Sequence, residues 1–266
     1  MTRSTSASSG PAPGPAPGPS GRAAQRRAQR PGPAVDSTVA QDYLKAVWAA
    51  CEWGGTGASI TGLARRMEVA PSTASENVAR LVEEGLVAHQ PYKAVTLTPE
   101  GRRRAMAIVR RHRLLETYLV TRLGFEWDEV HEEAEELEHA VSDRLLARLD
   151  AVLGHPTRDP HGDPIPTAEG RLDIPELVRI ETLEPGDEGV VGRIKDDSRT
   201  LRRLTRAGIS LDTRVRVLKR VADAGSGGWA SIVRAVACQD GRAAGQDGDA
   251  HGSGATVPDG SLWVLS

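Results

Sequence analysis

Ser59-Ile60-Thr61-Gly62-Leu63-Ala64-Arg65-Arg66-Met67-Glu68-Val69-Ala70-Pro71-Ser72-Thr73-Ala74-Ser75-Glu76-Asn77-Val78-Ala79-Arg80-Leu81-Val82-Glu83-Glu84-Gly85-Leu86-Val87-Ala88 reads as helix, turn, helix, strand. The first helix covers residues 59–68. Val69-Ala70-Pro71 makes the turn, and the second helix, residues 72–84, is stopped by Gly85. Leu86-Val87-Ala88 is a short apolar strand. It is followed by a tip, His89-Gln90-Pro91-Tyr92-Lys93, and a return strand over residues 94–97. This order is the winged helix-turn-helix pattern, in which the second helix enters the major groove. Its N-terminal half would present Ser72, Thr73, Ser75, Glu76 and Asn77 to bases and phosphates; hydroxyls bond phosphate oxygens and Asn pairs with adenine. Tyr92 and Lys93 at the wing tip would meet backbone phosphate. Leu63, Ala64, Val78, Leu81 and Val82 read as packing faces. An ordinary helical hairpin with a β-turn is the plainer alternative, but it leaves Gly85-Leu86-Val87 running into a ribbon unexplained.

Upstream, Leu44, Val47, Trp48 and Cys51 recur at i, i+3, i+4, i+7, the stripe of an amphipathic helix. Thr38 and Gln41 fit a capping box at its start, and Gly54-Gly55 closes it. Before it, residues 1–35 are Pro, Gly, Ser, Ala and Arg with no acid, a composition that cannot bury a core and reads as a disordered tail. Its arginines add nonspecific DNA affinity, or the tail is a solubilising extension. Downstream, Thr98-Pro99-Glu100 opens a long helix to about Arg122, with Thr98 as N-cap. An acidic helix over residues 127–141 and another over 142–152 follow. A Pro- and Asp-rich linker leads to short β-branched runs at 178–182, 189–194, 213–219, 230–237 and 262–265, with one short helix at 200–207. These predict a small antiparallel barrel, and residues 239–260 a mobile loop. The expected class is α+β. The expected domains are residues 36–101 (winged helix-turn-helix), 102–153 (helical), 154–175 (linker) and 176–266 (barrel).

The acidic helix carries the chemistry. His131, Glu135, Glu138 and His139 fall on one helical face. From Glu126 to Glu138 there are eight acids and no Lys or Arg. Such a stretch repels itself unless a cation or a basic partner neutralises it. Carboxylates with imidazoles suit a divalent ion of intermediate hardness, manganese or ferrous iron; a solvated acidic helix with a core histidine is the alternative. The 266-residue chain has a net charge of −2, unevenly spread. Residues 59–124 hold eleven Lys/Arg against six Asp/Glu, immediately before the acidic run. A basic segment meeting a polyanion, next to an acidic one holding a cation, accounts for this order. Two distant cysteines, Cys51 and Cys238, make neither a disulfide framework nor a CxxC pair. There is no membrane-length apolar run and no secretory apolar core, so a cytoplasmic setting is expected.

The element order, with Arg111-His112-Arg113-Leu114-Leu115-Glu116, Val130-His131-Glu132-Glu133-Ala134 and Glu138-His139-Ala140-Val141-Ser142-Asp143, resembles the DtxR/MntR family of metal-dependent transcriptional repressors over residues 36–266. Val78-Ala79-Arg80-Leu81, Leu97-Thr98-Pro99-Glu100-Gly101 and Gly162-Asp163-Pro164-Ile165-Pro166 support it. Leu183-Glu184-Pro185-Gly186 and Ala207-Gly208-Ile209 resemble that family's SH3-like (FeoA-type) domain. The resemblance implies a primary metal site at Asp42, Glu135, Glu138 and His139. It implies an ancillary site at His112, Glu116 and His131, completed from the barrel by Asp197, with Asp196 next. It also implies a dimer, for which Leu137, Val141, Leu145 and Leu146 are the expected apolar anchors. Iron-responsive members carry a thioether and a thiolate where this chain has Asp42 and Glu135. Two oxygens there favour Mn²⁺, with Fe²⁺ the alternative and zinc behind it. Some manganese-type members place a further acid one turn after the Asp; this chain has Lys45, which departs from a two-manganese cluster. The implied function is a metal-activated repressor binding palindromic double-stranded DNA as a homodimer, with no membrane and no small organic substrate. Without metal, repulsion of Asp42 by Glu135 and Glu138 would free the first helix. The rival class, a metal-dependent hydrolase, lacks any GxSxG, HExxH or P-loop motif.

Overall fold

The computed structural model describes residue 1 and residues 37–90, 92–223, 227–236 and 254–265. The tail expected at 1–35, apart from residue 1, Pro91 of the wing tip and most of the loop expected at 239–260 lie outside the described residues.

Helix α1, Thr38–Cys51, starts one residue earlier than a Thr38 cap requires: the Ser37 hydroxyl accepts from the Ala40 backbone N–H, and Thr38 is already helical. Tyr43, Leu44, Val47 and Trp48 are buried against α2 (Ile60–Arg66), α3 (Pro71–Glu83) and α4 (Pro99–Tyr118) in one core. Pro71 takes the first helical position of α3, where its missing N–H has no consequence. Strands β1 (Val87–Ala88) and β2 (Thr96–Leu97) pair antiparallel, and an Ala58–Val95 bridge adds a third line to the wing. Thr98 caps α4 and donates its hydroxyl to the Gly85 and Leu86 carbonyls, stitching the helix start to the wing. A Cβ on Gly101 would lie 1.8 Å from the Leu86 oxygen, so only glycine permits that approach.

Helix α5, Val130–Glu138, is shorter than the expected 127–141. Trp127 is drawn out of it: its indole N–H donates to Thr205 Oγ1, and its carbonyl lies 2.7 Å from His161 Nε2. Helix α6, Asp143–Leu153, is capped by Ser142 and ended by left-handed Gly154. Leu115, Leu119, Val130, Ala134 and Leu149 knit α4, α5 and α6 together. Leu146 packs inward on Leu114 and Ile165. This corrects its expected role as a dimer anchor, because its apolar surface is already spent within the chain. On α6 the exposed large apolar side chains are Leu145 and Val152.

The segment after α6 packs on the helical body. Asp159, His161 and Ile165 are buried, and an Arg158–Pro164 bridge closes a turn. Then come β3 (Val178–Arg179), β4 (Glu188–Ile194), α7 (Ser198–Arg206), β5 (Arg214–Ala222), β6 (Trp229–Ala235), β7 (Ala255–Pro258) and β8 (Leu262–Leu265). The strands form one antiparallel sheet in the order β3-β8-β4-β5-β6-β7. Val191, Val215, Val217, Val233, Val257 and Val264 line its inner face with Leu201 and Leu204 of α7. Bulges in the β4–β8 and β5–β6 pairings add the twist a small barrel needs. Residues 255–258, expected in a loop, instead pair with β6. The class is α+β. Among the described residues no helix is long and apolar enough to cross a membrane.

Candidate metal centre and nucleic-acid interface

Helices α1, α4 and α5 and the edge of the barrel enclose a polar cleft of about 1070 Å³. At one end Asp42, Glu138 and His139 offer donor atoms within 4.8 Å of one another. His139, just past the end of α5, sets Nε2 2.9 Å from the Asp42 carboxylate and Nδ1 2.8 Å from Gln41 Oε1. Glu138 is 1% exposed. Glu135, expected in this group, turns away from it, 3.2 Å from Lys45 Nζ and 3.4 Å from His131 Nε2. The expected mutual repulsion of the acids is offset at Glu135 and Glu138, while at Asp42 burial and the Glu138 charge still raise the carboxyl against His139 and Lys45. Lys45 Nζ lies 2.8 and 2.9 Å from the two Glu138 oxygens, so a basic side chain neutralises them from within the fold.

His112 joins this end to the next, with Nδ1 2.7 Å from Glu138 and Nε2 2.8 Å from Glu116. His112, Glu116 and His131 form a second group of convergent donors. Its barrel-side member is Asp196, 2.9 Å from His131 Nδ1. Asp197, the first choice from the sequence, is instead the N-cap of α7, its carboxylate accepting from the Thr200 N–H. Glu116 also belongs to a third group with Asp159 and His161, fully inside the protein.

The protons follow the geometry. Burial works against a charge on His131, but hydrogen bonds to Asp196, Glu116 and Glu135 outweigh it and hold the imidazole up at about 11. His112 and His161 are raised too, against burial, by Glu116 and neighbouring carboxylates. The His131 hydrogen bond holds Glu135 far below the usual carboxylate range. Glu138 is lowered, despite burial, by His112 and Lys45. Burial and the Asp163 and Glu116 carboxylates push Asp159 up to about 7. The cleft thus balances its carboxylates with Lys45 and with protons on imidazoles. A divalent cation can take over that balance, releasing protons as it binds.

On the opposite face of α1, the α3 surface leaves Ser72, Thr73, Ser75 and Glu76 exposed. Asn77 differs: its amide donates to the Thr73 carbonyl and lies 3.5 Å from the Tyr43 hydroxyl, so it ties α3 to α1. Tyr92 and Lys93 stand exposed on the wing, Tyr92 in a left-handed conformation at φ 65°.

Residues 37–95 match the family described as iron dependent repressor, N-terminal DNA binding domain; residues 98–167 match its metal binding and dimerisation domain, and residues 178–226 the FeoA domain. Over 199 residues the chain is 35% identical to the iron-dependent repressor IdeR of Mycobacterium leprae, covering 69% of this chain and 84% of that one. The chain belongs to the iron-dependent repressor family. Family members are transcriptional repressors and not enzymes, and the chain carries the family's DNA-binding, metal-binding and dimerisation parts. Among solved structures it resembles a manganese-dependent transcriptional repressor in complex with manganese, at 49% identity and TM-score 0.71, covering 85% of this chain and 99% of that one. It also resembles the manganese regulator SloR, at 27% identity and TM-score 0.64, over 85% and 97%.

Three features of the cleft escaped the sequence reading. His161 and Asp159 lie in what looked like a linker. Their signal was local: two aspartates and a histidine within Asp159-Pro160-His161-Gly162-Asp163, more titratable side chains than a tether needs. The third is the position of Lys45, which the sequence marked only as a departure.

Proposed function

We propose that this family member is a manganese-activated repressor that binds palindromic DNA as a homodimer in the cytoplasm. The observation that carries the reading is the convergence of Asp42 from α1 with Glu138 and His139 at the end of α5. Asp42, Glu138 and His139 would hold the primary ion, and His112, Glu116 and His131 with Asp196 a second, with Glu135 beside His131. These donor groups contain oxygen and imidazole nitrogen and no sulfur, which fits a metal of manganese type. A bound divalent cation would supply positive charge that cross-links α1 to α5. The likeness to a manganese-bound repressor supports the same choice. Ferrous iron is the second reading, favoured by the likeness to IdeR.

The chain's own residues carry the effect onward. Tyr43, Leu44 and Val47 of α1 pack in the core that holds α3, so fixing α1 against α5 fixes the reading head. In a two-fold dimer two such heads would meet half-sites one helical turn apart, or a multiple of it. Half-buried Leu137 and Val141 and exposed Leu145 are the apolar side chains of the α5–α6 region offered to a second copy. The deciding test is a metal series, Mn²⁺, Fe²⁺ and Zn²⁺ under anaerobic conditions, read by DNA binding. Activation at the lowest concentration by Mn²⁺ supports the reading; activation by Fe²⁺ alone replaces it with the second.

A further inference from the structure

Lys45 is buried at 7% exposure among α1, α4 and α5, and its ammonium touches three of the side chains assigned to metal. Nζ lies 2.8 and 2.9 Å from the two oxygens of Glu138, 3.2 Å from Glu135 and 3.1 Å from His112 Nδ1. His112 is itself 2.7 Å from Glu138 Oε2. Both oxygens of the most buried carboxylate in the primary group are therefore engaged before any ion arrives. The ammonium sits between the primary group and the His112–Glu116–His131 group.

We propose that Lys45 is a built-in counter-cation that a divalent ion must displace from Glu138, so that this one side chain sets the metal concentration at which the centre fills. The inference rests on the metal-centre reading above and adds a residue to it. An ion at coordination distance from Glu138 would lie within contact range of the ammonium. Like charges that close in a half-buried cleft repel strongly, because little water screens them. The ion therefore enters only as the lysine leaves, and the work of moving it is subtracted from metal affinity. In the metal-free chain the same contacts bridge α1 to α5 and stabilise the buried Glu138 carboxylate, which would otherwise have only His112 to balance it at close range. Lys45 thus serves two ends: it keeps the empty centre folded, and it makes the centre respond only to an ion that binds the donors more strongly than an ammonium does.

The test pairs calorimetric Mn²⁺ titration with thermal melting in chelator, on the wild-type chain, Lys45→Met and Lys45→Arg. Lys45→Met keeps the length of the side chain and removes its charge. It should bind Mn²⁺ at least about tenfold more tightly, about 1.4 kcal/mol, while melting at a lower temperature in chelator. Lys45→Arg keeps the charge and should stay near wild type in both. A measurement on the wild-type chain covers the case in which Lys45→Met does not fold. The chain has four lysines, and a ¹⁵N-labelled side-chain spectrum in chelator should contain one exchange-protected ammonium. That signal should be lost on saturation with Cd²⁺. Equal or weaker Mn²⁺ affinity in Lys45→Met, or a protected ammonium that survives Cd²⁺ saturation, overturns the inference and leaves the metal centre standing. Absence of saturable Mn²⁺ binding in the wild-type chain overturns both.

Discussion

Asp196 and Asp197 are neighbours with separate tasks, and substitution can tell them apart. Asp196 faces His131 across the interface between barrel and helices, whereas Asp197 closes the first turn of α7. Asp196→Asn should lower ancillary metal affinity and leave barrel stability nearly unchanged. Asp197→Ala should cost about 1 kcal/mol of stability as a lost N-cap and leave metal affinity alone. Calorimetry and chemical denaturation of the two variants check this, and the reverse pattern would restore Asp197 to the site. The sequence could not separate them because alignment by apolar register is accurate to a residue or so, while side-chain direction alternates at each one. His131 carries a pH signature. Its imidazole is held at about 11, above its unfolded value, so its ionic partnerships stabilise the metal-free fold fully below about pH 6.5. That contribution is lost as pH climbs through 11. In chelator, the gap in melting temperature between wild type and His131→Asn should therefore narrow steadily from pH 7 to pH 10. A gap that does not narrow over this range would show His131 to be neutral in the fold. The same proton must leave for His131 to bind metal, so ancillary affinity should rise with pH across that range.

At the scale of elements, the winged helix was legible because its signals are local: a turn at Val69-Ala70-Pro71, which the structure ends one residue sooner by starting α3 at Pro71, Gly85 after the helix, and Thr98 capping the next. The acidic helix was overdrawn at both ends because charge composition continues where the backbone does not. Trp127 leaves the helix for tertiary partners, Thr205 and His161, which local sequence does not name. The barrel's seat on the helical body was illegible for the same reason. Arg193 of β4 lies between the rings of Trp53 and Trp263, 4.4 and 4.0 Å from their centroids, and ion-pairs with Asp163. These partners come from three distant parts of the chain. Gly162 lets the two bodies close, since a Cβ there would meet the Gly192 oxygen at 2.2 Å and the Arg193 Cα at 2.9 Å. Gly162→Ala should therefore push the barrel off, weakening ancillary metal binding and raising susceptibility to proteolysis at the connection. Unchanged proteolysis and metal affinity would mean the docking tolerates the extra atom. On the DNA side, Lys93→Ala should weaken binding about equally on different sequences and reduce the salt slope by roughly one. A changed sequence preference would make Lys93 a base reader.

For the molecule as a whole, the cleft makes the proposed metal centre a junction: α1 leads to the proposed reading head, α5 and α6 to the exposed Leu145 and Val152, and Asp196 to the barrel. A cation that binds the DNA-competent arrangement about a hundredfold better shifts the equilibrium by about 2.7 kcal/mol. That is enough to control occupancy of an operator without remodelling the fold. Asp42 is the joint of this linkage. It is the α1 donor in the primary group, and its side chain is 39% exposed. Asp42→Ala should keep the fold, with melting in chelator close to wild type, while DNA binding no longer responds to metal at concentrations that saturate the wild-type chain. The most direct measurement enriches duplexes from a random pool in saturating Mn²⁺ and then follows affinity for the selected duplex by anisotropy as Mn²⁺ is varied, with wild type and Asp42→Ala side by side. The account predicts a palindromic duplex bound about a hundredfold more tightly by the wild-type chain in Mn²⁺ than in chelator, and a flat response in the variant. Equal wild-type affinity in chelator and in saturating Mn²⁺ would contradict it.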